Sequence, residues 1–402
     1  MPLALWALAL SAFAIGTTEF VIVGLIPTIA KSLSVSLPSA GLLVSLYALG
    51  VAIGAPVFTA LTSQVPRKKL LICLMIVFTI GNLIAWQSPG YSTLILARVL
   101  TGLAHGVFFS IGSTIATGLV SKDKAASAIA LMFTGLTVAL VTGVPIGTFI
   151  GQHFGWQATF LGVSILGVIA LAGSWILVPN NIPNPEPVSI LTQLSVLKKP
   201  RLLLVYAITA LGYGGTFTAF TYLAPILQNI SGFSEMAVAW VILVYGVSVA
   251  IGNIWGGKLA DRHGPLLALQ IIFALLTVVL LVFTWTAAKP WLALITVLAW
   301  GAVAFGNVPG LQVYVVQRAE IDAPKAIDVA SGLNIAAFNM GIALGSSVGG
   351  VIVANVGLTS TPWIGALIVF IALLLTRYAA YLDKKDLGLA IRSAEPQQTN
   401  SN

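Results

Sequence analysis

Two ionisable side chains stand inside long apolar runs of this sequence and are the first candidates for chemistry. Glu19 lies in the run that begins at Leu3, and Arg98 lies in the run that begins near Tyr91. A charge in the middle of a bilayer costs about 2.5–3.5 kcal/mol on insertion scales, so each needs a cavity, a partner or neutralisation. Loss of water favours the protonated form of a carboxyl group. Glu19 is therefore predicted to bind and release a proton. Arg98 is predicted to be a fixed charge that tunes Glu19 or orients a bound molecule.

The same residues also allow a purely structural interpretation. Glu19 and Arg98 can form an ion pair, or Arg98 can hold backbone carbonyls. His105 follows Arg98 by seven residues on the same helical face, with Gly102 between them, and is either a packing residue or a second proton site. Other polar residues in the apolar runs can form hydrogen bonds between helices or line a cavity. The candidates for a substrate cavity are Thr18, His105, Asn334 and Asn339.

Composition identifies the environment in which these side chains must work. The chain has 402 residues, of which 58% are hydrophobic and 7% charged, and its mean hydropathy is +1.02. An ordinary soluble domain is about 25% charged, so these charges cannot cover the surface of soluble domains. The runs do not alternate, which favours helices over barrel strands. We predict an all-α membrane protein with twelve spans, at about 3–30, 39–62, 70–87, 91–119, 126–151, 157–178, 202–228, 236–257, 265–287, 290–316, 329–356 and 358–380.

The polar segments give a domain organisation and an orientation. We predict a first six-helix half at 1–178, a cytoplasmic linker at 179–201, a second half at 202–381 and a disordered cytoplasmic tail at 382–402. With both termini in the cytoplasm, only Lys31 and Lys289 of the 19 Lys and Arg residues fall outside, and Arg98 falls within a span. Cytoplasmic loops carry the excess of basic residues, so this orientation is expected, in the inner (cytoplasmic) membrane.

An internal repeat relates the two halves. A shift of 198 residues superposes Gly16 on Gly214 and Pro27 on Pro225. The same shift superposes the second span on the eighth and the glycines of the fifth span on those of the eleventh. Parallel repeats with a site between them near mid-membrane are an architecture of secondary transporters.

Two further motifs bear on packing and gating. The fifth span carries Gly143, Gly147 and Gly151 with Pro145 between them, and the eleventh carries Gly341, Gly345 and Gly349. Glycine at this spacing allows close helix contact, and Pro145 can kink the span. The charged segment between the eighth and ninth spans is interpreted as a short loop, which either fixes topology or acts as a gating latch. Its candidate residues are Gly257, Asp261, Arg262 and Gly264.

These motifs together resemble the major facilitator superfamily. The segment Gly257-Lys-Leu-Ala-Asp-Arg-His-Gly264 and the pattern Leu94-x-x-x-Arg98-x-x-x-Gly102 are similar to two of its motifs. The run from Ile15 to Pro27 resembles the arabinose-efflux-permease-like subgroup of the drug/proton antiporter branch. Two positions depart from that pattern: Ser63 stands where the family has a gating Asp, and Gly143-Val-Pro145 replaces an adjacent Gly-Pro.

The resemblance implies a secondary transporter, and specifically a proton-driven exporter with Glu19 and Arg98 in the coupling positions. The expected partners are protons, the lipid bilayer and a small neutral or amphipathic molecule such as a drug, sugar or nucleoside. We expect a monomer with no cofactor, metal or nucleic acid, powered by the proton gradient. An importer or facilitator of the same fold is the main alternative, and a channel or an intramembrane enzyme are further ones.

Overall fold

The apolar runs form long helices. The computed structural model describes residues 2–62, 64–121, 125–180, 182, 196–324 and 326–394. Within these ranges twelve helices are long and apolar enough to cross a membrane, and no strand occurs. The prediction of an all-α protein with twelve spans is thus confirmed. Ser63 and most of the predicted linker lie outside the described residues.

The helices follow one another through short connections, and several spans consist of two segments. In chain order the spans are Leu3–Ser32, Leu37–Ile53 with Gly54–Phe58, Arg67–Trp86, Tyr91–Gly118, Ala125–Val138 with Ala139–Gly143 and Val144–Phe154, Trp156–Leu177, Pro200–Phe220 with Leu223–Asn229, Glu235–His263, Pro265–Thr286, Pro290–Ala304 with Asn307–Asp322, Ile327–Asn355, and Thr361–Ala394 after a 3₁₀ turn at Leu358–Ser360.

Prolines account for two of these interruptions. A π-helical turn at Gly54–Phe58 contains Pro56, and a second at Ala139–Gly143 comes just before Pro145. Proline has no backbone N–H and its ring displaces the preceding turn, so the helix widens locally. The irregularity expected at Pro145 therefore takes the form of a π-helical turn.

Exposed tryptophans mark two levels along the bundle. Trp6 and Trp175 lie where the first span begins and the sixth ends, which is one face of the bundle. Trp240, Trp285 and Trp291 lie near the opposite face. Tryptophan is enriched at both membrane–water interfaces, so the two levels fit a bilayer around the twelve helices.

The glycine ladders pack equivalent helices in the two halves. A Cβ on Gly143 would stand 2.2 Å from Thr17 Oγ1, and one on Gly151 would stand 2.4 Å from Leu25 Cδ2, so the fifth span lies against the first. In the second half a Cβ on Gly345 would stand 2.1 Å from the carbonyl oxygen of Gly214. The eleventh span thus lies against the seventh, which matches the repeat found in the sequence.

The halves meet tightly at the end of the bundle where the first and seventh spans finish. There the Tyr222 hydroxyl lies so close to Gly41 that a Cβ on Gly41 would be 2.1 Å away, and Gly350 borders the same hydroxyl. Ser347 Oγ donates to Ser45 Oγ over 3.1 Å between the halves. This end of the bundle is sealed by side chains of the second, seventh and eleventh spans.

The eighth and ninth spans are joined differently from the prediction. The segment from Gly257 to His263 is the last part of the eighth helix, so the predicted loop is wrong. The change from apolar to polar residues does not end the helix, because Lys258, Leu259, Ala260 and Arg262 are all good helix formers. The chain turns only at Gly264, whose φ of 82° suits glycine.

The twelfth helix also runs further than the predicted end of the second half at residue 381. It continues to Ala394, and a cluster of ionic contacts holds it. Arg318 donates to both carboxylate oxygens of Asp322 over 2.8 and 2.9 Å and to Asp383 over 3.4 Å, while Arg201 lies 2.5 Å from Asp386. The predicted tail beyond residue 394 lies outside the described residues.

Candidate functional site

Glu19 lies at the boundary between the halves and away from lipid. It is 8% exposed and sits in the middle of the first span. Its side chain borders a narrow cleft with about 220 Å³ of empty space. The cleft is lined by Glu19, Phe20, Val23, Val44, Tyr47 and Ala48 from the first half and by Phe217 and Ile342 from the second. The Glu19 side chain of the first half thus faces side chains of the second half across this cleft.

Arg98 holds backbone carbonyls and not the carboxylate of Glu19. Its Nη1 donates to the carbonyl of Thr18 over 2.6 Å, its Nη2 to the carbonyl of Glu19 over 3.4 Å and its Nε to that of Leu43 over 3.3 Å. No ion pair within 4.0 Å joins the two side chains in the described structure. The guanidinium therefore ties the fourth span to the first and second.

Tyr47 lies between Arg98 and His105 and contacts both. Its ring lies 4.0 Å below the guanidinium carbon of Arg98, a favourable contact for a cation over an aromatic face. Its hydroxyl forms a 2.9 Å hydrogen bond with His105 Nδ1. Gly102 permits this arrangement, because a Cβ there would stand 2.3 Å from the Tyr47 carbonyl oxygen. The second span can therefore approach the fourth closely.

His105 completes a compact polar group with Glu19. Its Nδ1 lies 3.9 Å from Glu19 Oε2, and its ring packs against Phe109 at 4.9 Å between centroids. Both rings and the carboxylate are buried. The Glu19 carboxyl group and the hydrogen bond between Tyr47 and His105 thus lie close together, next to the ring of Phe109.

Of the other predicted cavity residues, Thr18 and Asn334 form hydrogen bonds within their own halves, and Asn339 has one buried oxygen that is unpaired in the described structure. Thr18 donates to Asn82 Oδ1 over 2.7 Å within the first half. Asn334 accepts from Thr209 over 2.7 Å and donates to Gln312 over 3.1 Å within the second. Asn339 Nδ2 bonds to the carbonyl of Ile335, but its buried Oδ1 has no partner among the described residues.

An aromatic wall faces Glu19 from the second half, and sequence reasoning did not find it. Phe217 lines the cleft, with Tyr213 stacked on it at 5.9 Å between centroids. Phe305 contacts both, and Phe20 of the first half contacts Phe217 at 6.4 Å and Phe305 at 6.1 Å. Tyr213, Phe217 and Phe220 recur at helical spacing, and that was the available signal. Such a stripe is common in a packed core, so spacing alone does not reveal a cleft.

The predicted gating residues lie far along the eighth helix from this cleft. Asp261 and Arg262 are exposed at its end, and no hydrogen bond or ion pair joins Asp261 to another described residue. Gly257 and Gly264 flank them, and Gly143, Pro145, Gly147 and Gly151 lie along the fifth span against the first. The structure therefore brings Glu19, Arg98 and His105 together and leaves the charged segment separate.

Two parallel six-helix halves around a buried, acid-containing cleft are the architecture of a membrane transporter. Its helices enclose the cleft from both halves.

Comparison with known proteins agrees with this class. The sequence profile described as Major Facilitator Superfamily matches residues 8–325. The chain is 53% identical to the uncharacterized MFS-type transporter YtbD of Bacillus subtilis (strain 168), over 95% of this chain and 96% of that protein. It is 42% identical to the inner membrane transport protein YdhP of Escherichia coli (strain K12), over 94% and 95%. The chain therefore belongs to the major facilitator superfamily and is a multi-pass membrane transporter of small molecules.

A solved structure supports the same fold. A bacterial homologue of the human lysosomal transporter Spinster, in an inward-facing and occupied conformation, superposes with a TM-score of 0.76 at 17% identity. The match covers 94% of this chain and 96% of that one. At that identity the similarity concerns the fold alone, and it confirms the arrangement of twelve spans in two halves.

Proposed function

We propose that this transporter is a proton-coupled exporter in which Glu19 is the coupling group. The observation that carries the proposal is the position of the Glu19 carboxyl group, which is buried at the boundary between the halves and has no ion pair with Arg98. A carboxyl group so placed is neutral when it has a proton and charged when it does not, and a charge is costly among apolar walls within the membrane. Protonation can thus decide when the halves close around it.

The transport cycle follows from this placement. Glu19 takes a proton when the cleft opens to the outside, and substrate is released there. The neutral form lets the halves rock to the opposite state around the central site. Glu19 then loses its proton to the cytoplasm as the next substrate binds. Arg98, tied to the carbonyls of Thr18 and Glu19, holds the first span at a fixed distance from the fourth during these steps.

One proton per cycle supplies enough energy. A charge that crosses about 100 mV releases about 2.3 kcal/mol, and a pH difference of one unit adds about 1.4 kcal/mol. The sum of about 3.7 kcal/mol sustains a gradient of several hundred-fold for a neutral substrate. A single carboxyl group therefore suffices as the coupling site.

The conformation fits one stage of that cycle. With both termini in the cytoplasm, as the basic residues favour, the end sealed by Tyr222, Gly41 and Gly350 is the outside of the cell. The molecule is then closed to the outside, and its cleft is contracted around Glu19. Release of substrate outward requires the second span to separate from the seventh and eleventh at that end and the fifth span to separate from the eighth.

The expected substrates are small neutral or amphipathic molecules, because the cleft is lined mainly by apolar and aromatic side chains. One chain contains both halves of the site, so we propose that the monomer is the transporting unit in the inner membrane. An importer of the same fold would use the same carboxyl group with substrate and proton moving in one direction.

The direction of proton movement tests the proposal. A screen of cells with and without the protein identifies a transported compound, and purified protein is then reconstituted into vesicles that enclose a pH-sensitive dye. We expect an outward substrate gradient to drive protons inward, since the two ligands exchange at one site. Protons that leave together with the substrate would establish an importer instead, and substrate flux without any pH change would establish a facilitator.

A further inference from the structure

Two buried hydrogen-bond donors beside the aromatic wall have no partner. Tyr245 is 1% exposed and Trp300 is fully buried, yet neither the Tyr245 hydroxyl nor Trp300 Nε1 forms a hydrogen bond with any described residue. An unpaired buried polar group costs free energy, and most such groups in proteins are satisfied. Two of them in neighbouring rings, 6.0 Å apart between centroids, indicate a place where another molecule supplies the missing acceptor.

A chain of aromatic contacts links these donors to the cleft. Phe220 stacks on Tyr245 at 4.9 Å and contacts Trp300 at 6.2 Å, and it contacts Phe217, which lines the cleft, at 5.3 Å. Tyr245 is also next to Gly246, where the eighth span touches Leu140 of the fifth. When the halves part at this contact, the surroundings of Tyr245 open toward the site.

We propose that Tyr245 and Trp300 form a substrate subsite for an uncharged flat aromatic ring that carries a hydrogen-bond acceptor such as a carbonyl oxygen. Trp300 Nε1 can only donate and the Tyr245 hydroxyl can donate, so an oxygen with two lone pairs matches both. The rings of Phe217 and Phe220 offer faces and edges for an offset or edge-to-face contact with the substrate ring. This subsite rests on the proposed transport function and gives it a substrate class.

Direct observation of the Trp300 indole provides the test. The protein is labelled with ¹⁵N at its indole nitrogens, purified in lipid nanodiscs without any gradient, and titrated with coumarin, which is flat, uncharged and bears a carbonyl. The chain has ten tryptophans, and the Trp300 signal is the one that Trp300→Phe removes. Coumarin is expected to shift this signal downfield, and naphthalene, which has a similar flat ring system without the acceptor, is expected to leave it in place.

Affinities of matched variants complete the test. Trp300→Phe and Tyr245→Phe are each expected to weaken coumarin binding about 5- to 30-fold, the value of one hydrogen bond to a buried group. Tyr245→Phe is not expected to lower the melting temperature, because the lost hydroxyl bonds to no described residue. Trp300→Phe also removes buried volume and is expected to lower it, so affinities are compared below the melting transition of each variant. Trp156→Phe and Tyr206→Phe are the controls: their polar atoms bond to Ser32 and to the carbonyl of Ala330, and their loss is expected to leave coumarin affinity unchanged.

Three results would overturn the subsite: no binding of coumarin, an equal response of the Trp300 signal to naphthalene, or unchanged coumarin affinity in both Trp300→Phe and Tyr245→Phe. Because binding is measured without a proton gradient, a failure of proton coupling at Glu19 leaves this test unaffected. Conversely, a protein that couples protons through Glu19 but ignores coumarin refutes only the subsite.

Discussion

Glu19→Gln is expected to reduce the substrate gradient that the protein sustains from several hundred-fold to about one, the full contribution of one coupled proton. Glutamine has the shape of a protonated glutamic acid but cannot release a proton. Because the carboxylate makes no hydrogen bond in the described structure and lies 3.9 Å from His105 Nδ1, the substitution removes the ionisable group with little change in packing. The measurement is accumulation of substrate in vesicles under an imposed pH gradient.

Glu235→Gln is the matched control for this experiment. Glu235 is exposed at the start of the eighth span, so its neutralisation is expected to leave accumulation within experimental error. Substrate exchange without a gradient should persist in Glu19→Gln, since the two halves can still rock around the site. Full proton-driven accumulation by Glu19→Gln would refute the role assigned to this residue.

Gly246→Leu is expected to prevent the sealed state and to slow transport at least about tenfold. A Cβ on Gly246 would stand 2.3 Å from the carbonyl oxygen of Leu140, across the boundary between the halves. Excess volume in a packed interface costs about 1–3 kcal/mol or more, and here the cost falls only on the conformation in which the fifth and eighth spans touch. The equilibrium between the two states therefore shifts by about one to two powers of ten.

Cysteine labelling measures that shift. Ser45 is buried at the sealed end and bonds to Ser347, so Ser45→Cys, in a background with Cys73→Ser, should react slowly with a membrane-impermeant maleimide. Gly246→Leu should make the same cysteine react rapidly. Gly162→Leu is the control, because nothing lies within 4 Å of a Cβ at Gly162. Slow labelling in Gly246→Leu would mean that the fifth and eighth spans do not set the conformational balance.

Gly345→Leu is expected to change the stability of the protein and not its conformational balance, so it distinguishes a packing role from a gating role. Its Cβ would stand 2.1 Å from the Gly214 carbonyl oxygen, within one half. Both conformational states contain that contact, so the substitution is expected to lower the melting temperature of the protein and not to change the labelling of Ser45→Cys in the fraction that folds.

Two features of the structure differ from what the local sequence pattern indicated: the end of the eighth helix and the partners of Arg98. The charged segment at Gly257 to His263 was expected to be a loop because polarity changes there, yet helix continues until Gly264 permits a positive φ. An ion pair between Glu19 and Arg98 was one possibility for two isolated charges, but the guanidinium bonds to three carbonyls instead. Both results depend on how far a helix runs and how it is rotated, which hydropathy does not report.

The amino-acid sequence by itself determined the twelve spans, the repeated halves and the one acid embedded among apolar residues. Each of these is a property of composition or of periodicity along the chain, and lipid solvation enforces it regardless of how the helices are arranged. Tertiary structure alone decided that Tyr47 joins Arg98 to His105, that an aromatic wall faces Glu19, and that Tyr245 and Trp300 have unpaired donors. These features bring together helices distant in the chain, and the direction of each side chain follows from helix rotation and close glycine contacts, which exist only once the halves are packed.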